Sequence, residues 1–186
     1  MNRSLHIISG AQTGADVAGL WSAKLFGIPT GGYAPKNFVT LDGNHPEMAA
    51  TFGIKEHSSL GYRDRTIANL KGSDITIVCS EKLSPGTRLT INQCKKENVP
   101  CYYFSLDPSD MEASLANANL DKVIHEIRRH EMLNLPFVLN IAGNSTQNST
   151  RVFEFTFKVC HKLFSTLGYT SEIGAEKWII YKDKWN

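Results

Sequence analysis

The chain has 186 residues, 41% apolar and 20% charged. That suits one domain around one buried core and excludes a disordered, collagen-like or coiled-coil protein. A formal net charge of +2, with no Lys/Arg run longer than a pair, points away from a nucleic-acid partner, so any charged ligand must be recognised locally. No stretch approaches the roughly 18 apolar residues of a membrane span, and the N-terminus lacks a signal peptide's apolar core, so no membrane partner and a cytoplasmic location are expected.

Taken in chain order, "LHIIS" (5–9) reads as a first strand, followed by a small-residue turn and a helix over 14–26 with Val17, Leu20, Trp21, Lys24 and Leu25 around one seam. Residues 27–61 are rich in Gly, Pro, Asn and His and read as one long functional loop. A short helix is expected over 63–71, a strand at "ITIVCS" (75–80), and a helix over 87–98 carrying Leu89, Ile91 and Cys94. Then come a strand at "CYYFSL" (101–106), a helix over 110–132, a strand at "FVLNIAG" (137–143) and a helix over 150–167. The tail "EKWIIYKDKW" reads as an edge strand at 176–183. Strands that are continuously apolar, alternating with helices, predict a doubly wound, mostly parallel α/β sheet with helices on both faces.

In such a sheet, ligands bind where strand ends lead into helix N-termini. In "SGAQTGAD", Gly10 permits a sharp turn, Thr13 can cap the helix, Gly14 permits close approach, and Asp16 complements the helix dipole or reaches a ligand. Free N–H groups there would suit a phosphate, although the spacing matches neither GxGxxG nor GxxxxGK[ST]. "TGGYAPKN" adds Gly31, Gly32 and the point charge of Lys36; "YRDRTIAN" adds Arg65 and Asn69, which share a helix face. "SPGTRLT" repeats the physics of the first turn with Gly86, Thr87 as a cap and Thr90. "LNIAGNST" ends a strand with Asn140 and Gly143.

The four cysteines form no CxxC pair, and Cys79 and Cys101, set in apolar runs, read as buried inert thiols. No G-x-S-x-G elbow supports a hydrolase triad. Asp42, His45 and Glu47 fit no standard metal spacing, so no metal site is expected.

The ordered set "ISGAQTGAD", "GGYAPK", "YRDRTIAN", "SPGT" with "LT", and "LNIAG" resembles the signature segments of the molybdenum carrier family, akin to the YpsA-like and Lonely-Guy-like proteins of the SLOG superfamily, over about Leu5 to Phe164. The resemblance implies a Rossmann-like domain, commonly homo-oligomeric, binding a phosphorylated nucleotide-like molecule such as molybdenum cofactor or a nucleotide. It places the pocket on Gly10, Gln12, Thr13, Gly14, Asp16, Gly31, Gly32, Pro35, Lys36, Arg65, Thr66, Asn69, Gly86, Thr87, Asn140, Ala142 and Gly143. The chain departs from the pattern at Ala11 and Pro85, where glycines are usual, at Asn37 and Phe38, where a basic residue is, and at Thr90. Lonely-Guy phosphoribohydrolases carry a catalytic Glu at the last of these. A hydroxyl cannot replace a carboxylate that stabilises an oxocarbenium-like charge, so the resemblance favours a binding or carrier protein. A nucleotide-processing enzyme and a sensor or sponge for a nucleotide signal stand as the alternatives.

Overall fold

The computed structural model describes residues 5–106 and 118–171. Its elements are β1 (Leu5–Ser9), α1 (Ala15–Leu25), β2 (Thr30–Ala34), a single 3-10 turn (Lys36–Phe38), α2 (Glu47–Phe52), β3 (Ile54–Glu56), α3 (Tyr62–Lys71), β4 (Ile75–Ser80), α4 (Pro85–Glu97), β5 (Cys101–Ser105), α5 (Ala118–Met132), β6 (Phe137–Gly143) and α6 (Val152–Thr166). The expected edge strand at 176–183 and the first part of the expected 110–132 helix lie outside the described residues.

All six strands run parallel in the order β3-β2-β1-β6-β4-β5, so the doubly wound α/β expectation holds. One long loop over 27–61 does not. That segment carries two strands and a helix. β2, "TGGYA", has no apolar run because Gly32 must pass under β1: a Cβ there would lie 2.2 Å from the Ser9 carbonyl oxygen, at a φ of +122°. β3 is three residues long and buries only Ile54, too little for a period to register.

The two faces of the sheet differ chemically. Ile7, Ile75, Ile77, Cys79, Leu139 and Ile141 point into one core with Val123, Ile127, Val159 and Leu163 of α5 and α6. Alternation sends Ile8, Thr76, Val78, Asn140 and Ala142 to the opposite face, over which α3 and α4 pack. This second face is more polar, carrying the buried Thr76 and Asn140. A second cluster, containing Val17, Leu20, Trp21, Phe52 and Phe153, ties α1 to α2 and α6.

β6, late in the chain, lies between β1 and β4, with Ser9↔Ile141 on one side and Cys79↔Gly143 on the other. From β1 the chain steps outward through β2 and β3; from β4 it steps outward the other way. The switch in winding therefore falls at β6, and the crevice beyond its carboxyl end is where such sheets bind ligands.

Ala11, where a glycine is usual in the resembling family, sits at φ +55° and is fully buried. The left-handed conformation costs an alanine about 1 kcal/mol, while its methyl contributes about 0.8 kcal/mol by burial. Ala11→Gly also adds freedom to the unfolded chain, at a cost of about 0.4–1 kcal/mol. These effects nearly cancel, so thermal melting is expected to shift by less than about 3 °C.

Candidate functional site

At the carboxyl ends of β1, β4 and β6, the turns into α1, α4 and α6 meet around a cleft of about 200 Å³. What joins them is Asn144, directly after β6 and 1% exposed. Its Oδ1 accepts from the Glu81 N–H (2.9 Å), the Lys82 N–H (3.2 Å) and the Ser80 hydroxyl (3.1 Å). Its Nδ2 donates to the Lys82 carbonyl (2.9 Å), Thr87 Oγ1 (3.0 Å) and Ser84 Oγ (3.3 Å). Its backbone carbonyl accepts from Ala15 N–H at 3.0 Å, closing the start of α1. One residue thus fixes the turns before α1 and α4. Glu81 strengthens the join: it accepts from Ser149 and Arg151, and those bonds hold its carboxyl below the usual range.

The first turn is spoken for internally. Gln12 N–H donates to Asp16 Oδ2 (3.2 Å), Thr13 N–H to the Gln12 side-chain oxygen (3.0 Å), and Val17 N–H to the Gln12 carbonyl (3.2 Å). The expected cap at Thr13 is absent: Gly14 is the N-cap, at φ +87°, and Thr13 Oγ1 is buried without a partner among the described residues. A Cβ on Gly14 would lie 2.5 Å from the Asn144 carbonyl oxygen, so this glycine admits a protein backbone rather than a ligand.

Asp16 takes the place an anion would hold in that turn. Its carboxylate accepts from Arg65 Nη1 at 3.2 Å, with side chains 6% and 12% exposed respectively. A Cβ on Gly10 would lie 1.3 Å from that Nη1, so Gly10 is what lets the guanidinium lie across the turn. Burial pushes the Asp16 carboxyl above its ordinary range, against the lowering pull of Arg65 and of the Gln12 and Gly10 N–H groups. Arg65 Nε remains a buried donor without a partner among the described residues.

The second turn is more open. The cap of α4 is Ser84, whose Oγ accepts from Thr87 N–H at 3.3 Å, and not Thr87 as the sequence suggests. Pro85 occupies the first helical position, where a missing N–H costs nothing. Gly86 follows with an ordinary helical φ and open space where a Cβ would stand. Its N–H lies in the first turn of α4, where no carbonyl of the helix receives it, at the positive end of the helix and in the cleft wall.

Of the residues singled out in the sequence, Gln12, Asp16, Arg65, Thr66, Asn69, Gly86, Thr90, Asn140, Ala142 and Gly143 line the cleft, and Pro35 does not. Gly10, Thr13, Gly14 and Thr87 stand behind it, shaping its turns, while Gly31, Gly32 and the exposed Lys36 are not in its wall. Asn69 serves the fold as well, its amide bonded to both the N–H (2.8 Å) and the carbonyl (3.0 Å) of Tyr33. Gly143 spares a clash: a Cβ there would come within 1.8 Å of the Cys79 carbonyl oxygen.

Sequence reasoning missed Asn144, Ser84, Ser145 and Asn148, and the apolar wall of Leu41, Tyr62 and Leu89. Ser84 and Tyr62 open the recognised "SPGT" and "YRDRTIAN", and Asn144 and Ser145 follow "NIAG" directly. Among the described residues, the cleft wall holds one cation and one carboxylate, Arg65 and Asp16, among amides and hydroxyls. His45 lies between Asp42 (3.2 Å) and Glu47 (2.9 Å), and among the described residues no three His, Cys, Asp or Glu side chains are placed to hold a metal. No helix of the described residues is long and apolar enough to cross a membrane.

This architecture has relatives. A crystal structure from Syntrophus aciditrophicus SB, described as a "Putative molybdenum carrier protein", is 31% identical, with a TM-score of 0.72 over 85% of this chain and 93% of its own. No curated protein matches significantly. The model of the circularly permutated YpsA SLOG family matches residues 7–164, and a late strand at the centre of the sheet is what a permuted chain order produces. The chain belongs to the circularly permutated YpsA SLOG family.

Proposed function

We propose that the cleft holds a phosphorylated, nucleotide-like small molecule and carries it without turning it over. The observation that bears most on this is the start of α4 in the cleft wall, where the Gly86 N–H has no carbonyl of its own helix to bond, beside a wall of amides and hydroxyls. The helix end suits a phosphate. Gln12, Asn140, Asn148 and Thr90 suit the hydrogen-bonding edge of a heterocycle. The volume of about 200 Å³ is below the roughly 300 Å³ at which whole drug-sized ligands are enclosed, which favours a mononucleotide or pterin phosphate over a dinucleotide.

The carrier reading over the enzyme reading is supported by Thr90, which stands where a catalytic Glu would be and donates to the Gly86 carbonyl at 3.2 Å. Asp16, the carboxylate in the wall, is occupied by Arg65 and backbone N–H groups. Within this class, the description of the Syntrophus protein favours molybdenum cofactor as cargo.

The test is native mass spectrometry of gently purified protein with elemental analysis, followed by titration with adenosine monophosphate. A small phosphorylated adduct is expected, with molybdenum if the cargo is the cofactor. Gly86→Val should remove the adduct and weaken binding about tenfold or more, because it fills the open space and blocks the donor. Valine is no worse than glycine in a helix, so the melting temperature should hold. Turnover of the nucleotide that depends on Asp16 would replace the carrier reading with an enzyme.

A further inference from the structure

The amides of the cleft wall are not interchangeable, because the protein itself already uses much of their hydrogen-bonding capacity. Asn69 spends its oxygen on Tyr33 N–H and its nitrogen on the Tyr33 carbonyl. Gln12 Oε1 accepts from Thr13 N–H and Leu41 N–H, both at 3.0 Å, which leaves Nε2 as a donor without an acceptor among the described residues. The Asp16 carboxylate, the other strong acceptor in the wall, is met by Arg65 and Gln12 N–H.

Asn140 is the reverse of Gln12. Its Nδ2 donates to Thr76 Oγ1 at 3.2 Å, across the β4–β6 ladder in which the two residues are partners. Its Oδ1 has no donor among the described residues. Asn140 is only 3% exposed and lines the cleft, so the surface it keeps opens into the cleft. The floor of the cleft therefore offers a buried acceptor that is held in orientation by the sheet and not yet satisfied.

Such an acceptor constrains what can lie over it. A ligand that covers Oδ1 without giving it a hydrogen leaves it desolvated and unbonded, and binding weakens by about tenfold or more. Oxyanions, which present acceptors on every side, are turned away from this spot for the same reason. The start of α4 asks for the opposite chemistry: Gly86 is exposed, and its N–H has no carbonyl of the helix to bond.

We propose that Asn140 selects a heterocycle whose edge carries an N–H donor, taking that hydrogen on Oδ1 at the cleft floor while the ligand's phosphate lies at the start of α4. The assignment rests on the binding role proposed above and narrows it. Amino-substituted purines and pterins qualify, and heterocycles whose edge holds acceptors alone do not.

The experiment titrates the full-length protein with adenosine monophosphate and with purine riboside 5′-monophosphate, which keeps the ring, ribose and phosphate and lacks the amino group. The wild type is expected to bind adenosine monophosphate about tenfold or more tighter. Asn140→Leu should close that gap by weakening adenosine monophosphate alone. Purine riboside 5′-monophosphate should bind this variant at least as well as it binds the wild type, because no acceptor is left to strand. Asn140→Ala serves if the leucine variant fails to fold, and the wild-type comparison needs no variant. Equal affinity of the wild type for the two nucleotides, a gap that survives in the variant, or an equal loss of both ligands there would overturn the assignment and leave the binding role standing. Failure of the wild type to bind either nucleotide would overturn both.

Discussion

Replacing Asn144 with alanine is expected to lower stability by about 3 kcal/mol or more, read as a lower denaturant midpoint at an unchanged slope. The magnitude follows from what is lost. The side chain makes six hydrogen bonds to Ser80, Glu81, Lys82, Ser84 and Thr87, and removing it strands the Glu81 and Lys82 N–H groups in a part-buried turn, while the Lys82 carbonyl keeps its bonds from Ser84 N–H and the Ser80 hydroxyl. Removing one partner of a buried polar set costs the desolvation of what remains, not merely the net value of each bond. The backbone of residue 144 keeps its own bonds in the variant: its N–H to the Cys79 carbonyl (3.0 Å) and its carbonyl to Ala15 N–H (3.0 Å). The damage should therefore be directional. Hydrogen exchange should accelerate over 81–87, at the turn into α4, and stay slow at Ala15, where α1 begins. Equal acceleration at both turns would mean that the side chain is not what joins them.

The parts of the fold legible in the sequence are those whose physics is local. β1, β4 and β6 are buried on both faces, so their apolar runs are continuous and visible without knowing their neighbours. β3 is a three-residue edge strand, β2 beside it is part-exposed, and Gly32 answers to the Ser9 carbonyl of another strand; no local pattern carries that. The site divides the same way. The turns at Gly10, Gly86 and Gly143 were found because sharp turns demand small residues wherever they occur. Their purposes were misassigned where they depend on which turn meets which: Gly14 makes room for the carbonyl of Asn144, and Thr87 receives the Asn144 amide instead of capping its helix. Both errors trace to one fact of topology, the insertion of β6 between β1 and β4, which brings the turn after residue 143 against two turns more than 50 residues away in the chain. The resemblance points to segments of the chain and carries nothing of which turn meets which.

Arg65→Met is expected to destabilise the protein by about 3–5 kcal/mol near neutral pH, with a loss that shrinks as the pH falls. Methionine preserves much of the buried stem but leaves Asp16, which is 6% exposed on its side chain, without its cation. In the wild type, burial already outweighs Arg65 and the backbone donors and raises the Asp16 carboxyl above its unfolded value of about 3.9. A carboxyl raised on folding binds its proton more tightly in the native state, so its contribution to stability is complete below the unfolded value and is lost as pH rises through the folded one. Removing Arg65 takes away the main opposing pull. The folded value then moves further up, and the fall in stability extends to higher pH and becomes deeper. Denaturation profiles between about pH 4 and 8 should therefore diverge from the wild type as pH rises. Asp16→Asn on the Arg65→Met background should recover most of the neutral-pH loss, because the amide keeps an acceptor for the Gln12 N–H and carries no charge to desolvate. A parallel offset between the two profiles at every pH would show instead that Arg65 matters for packing over Gly10 and not for the charge of Asp16.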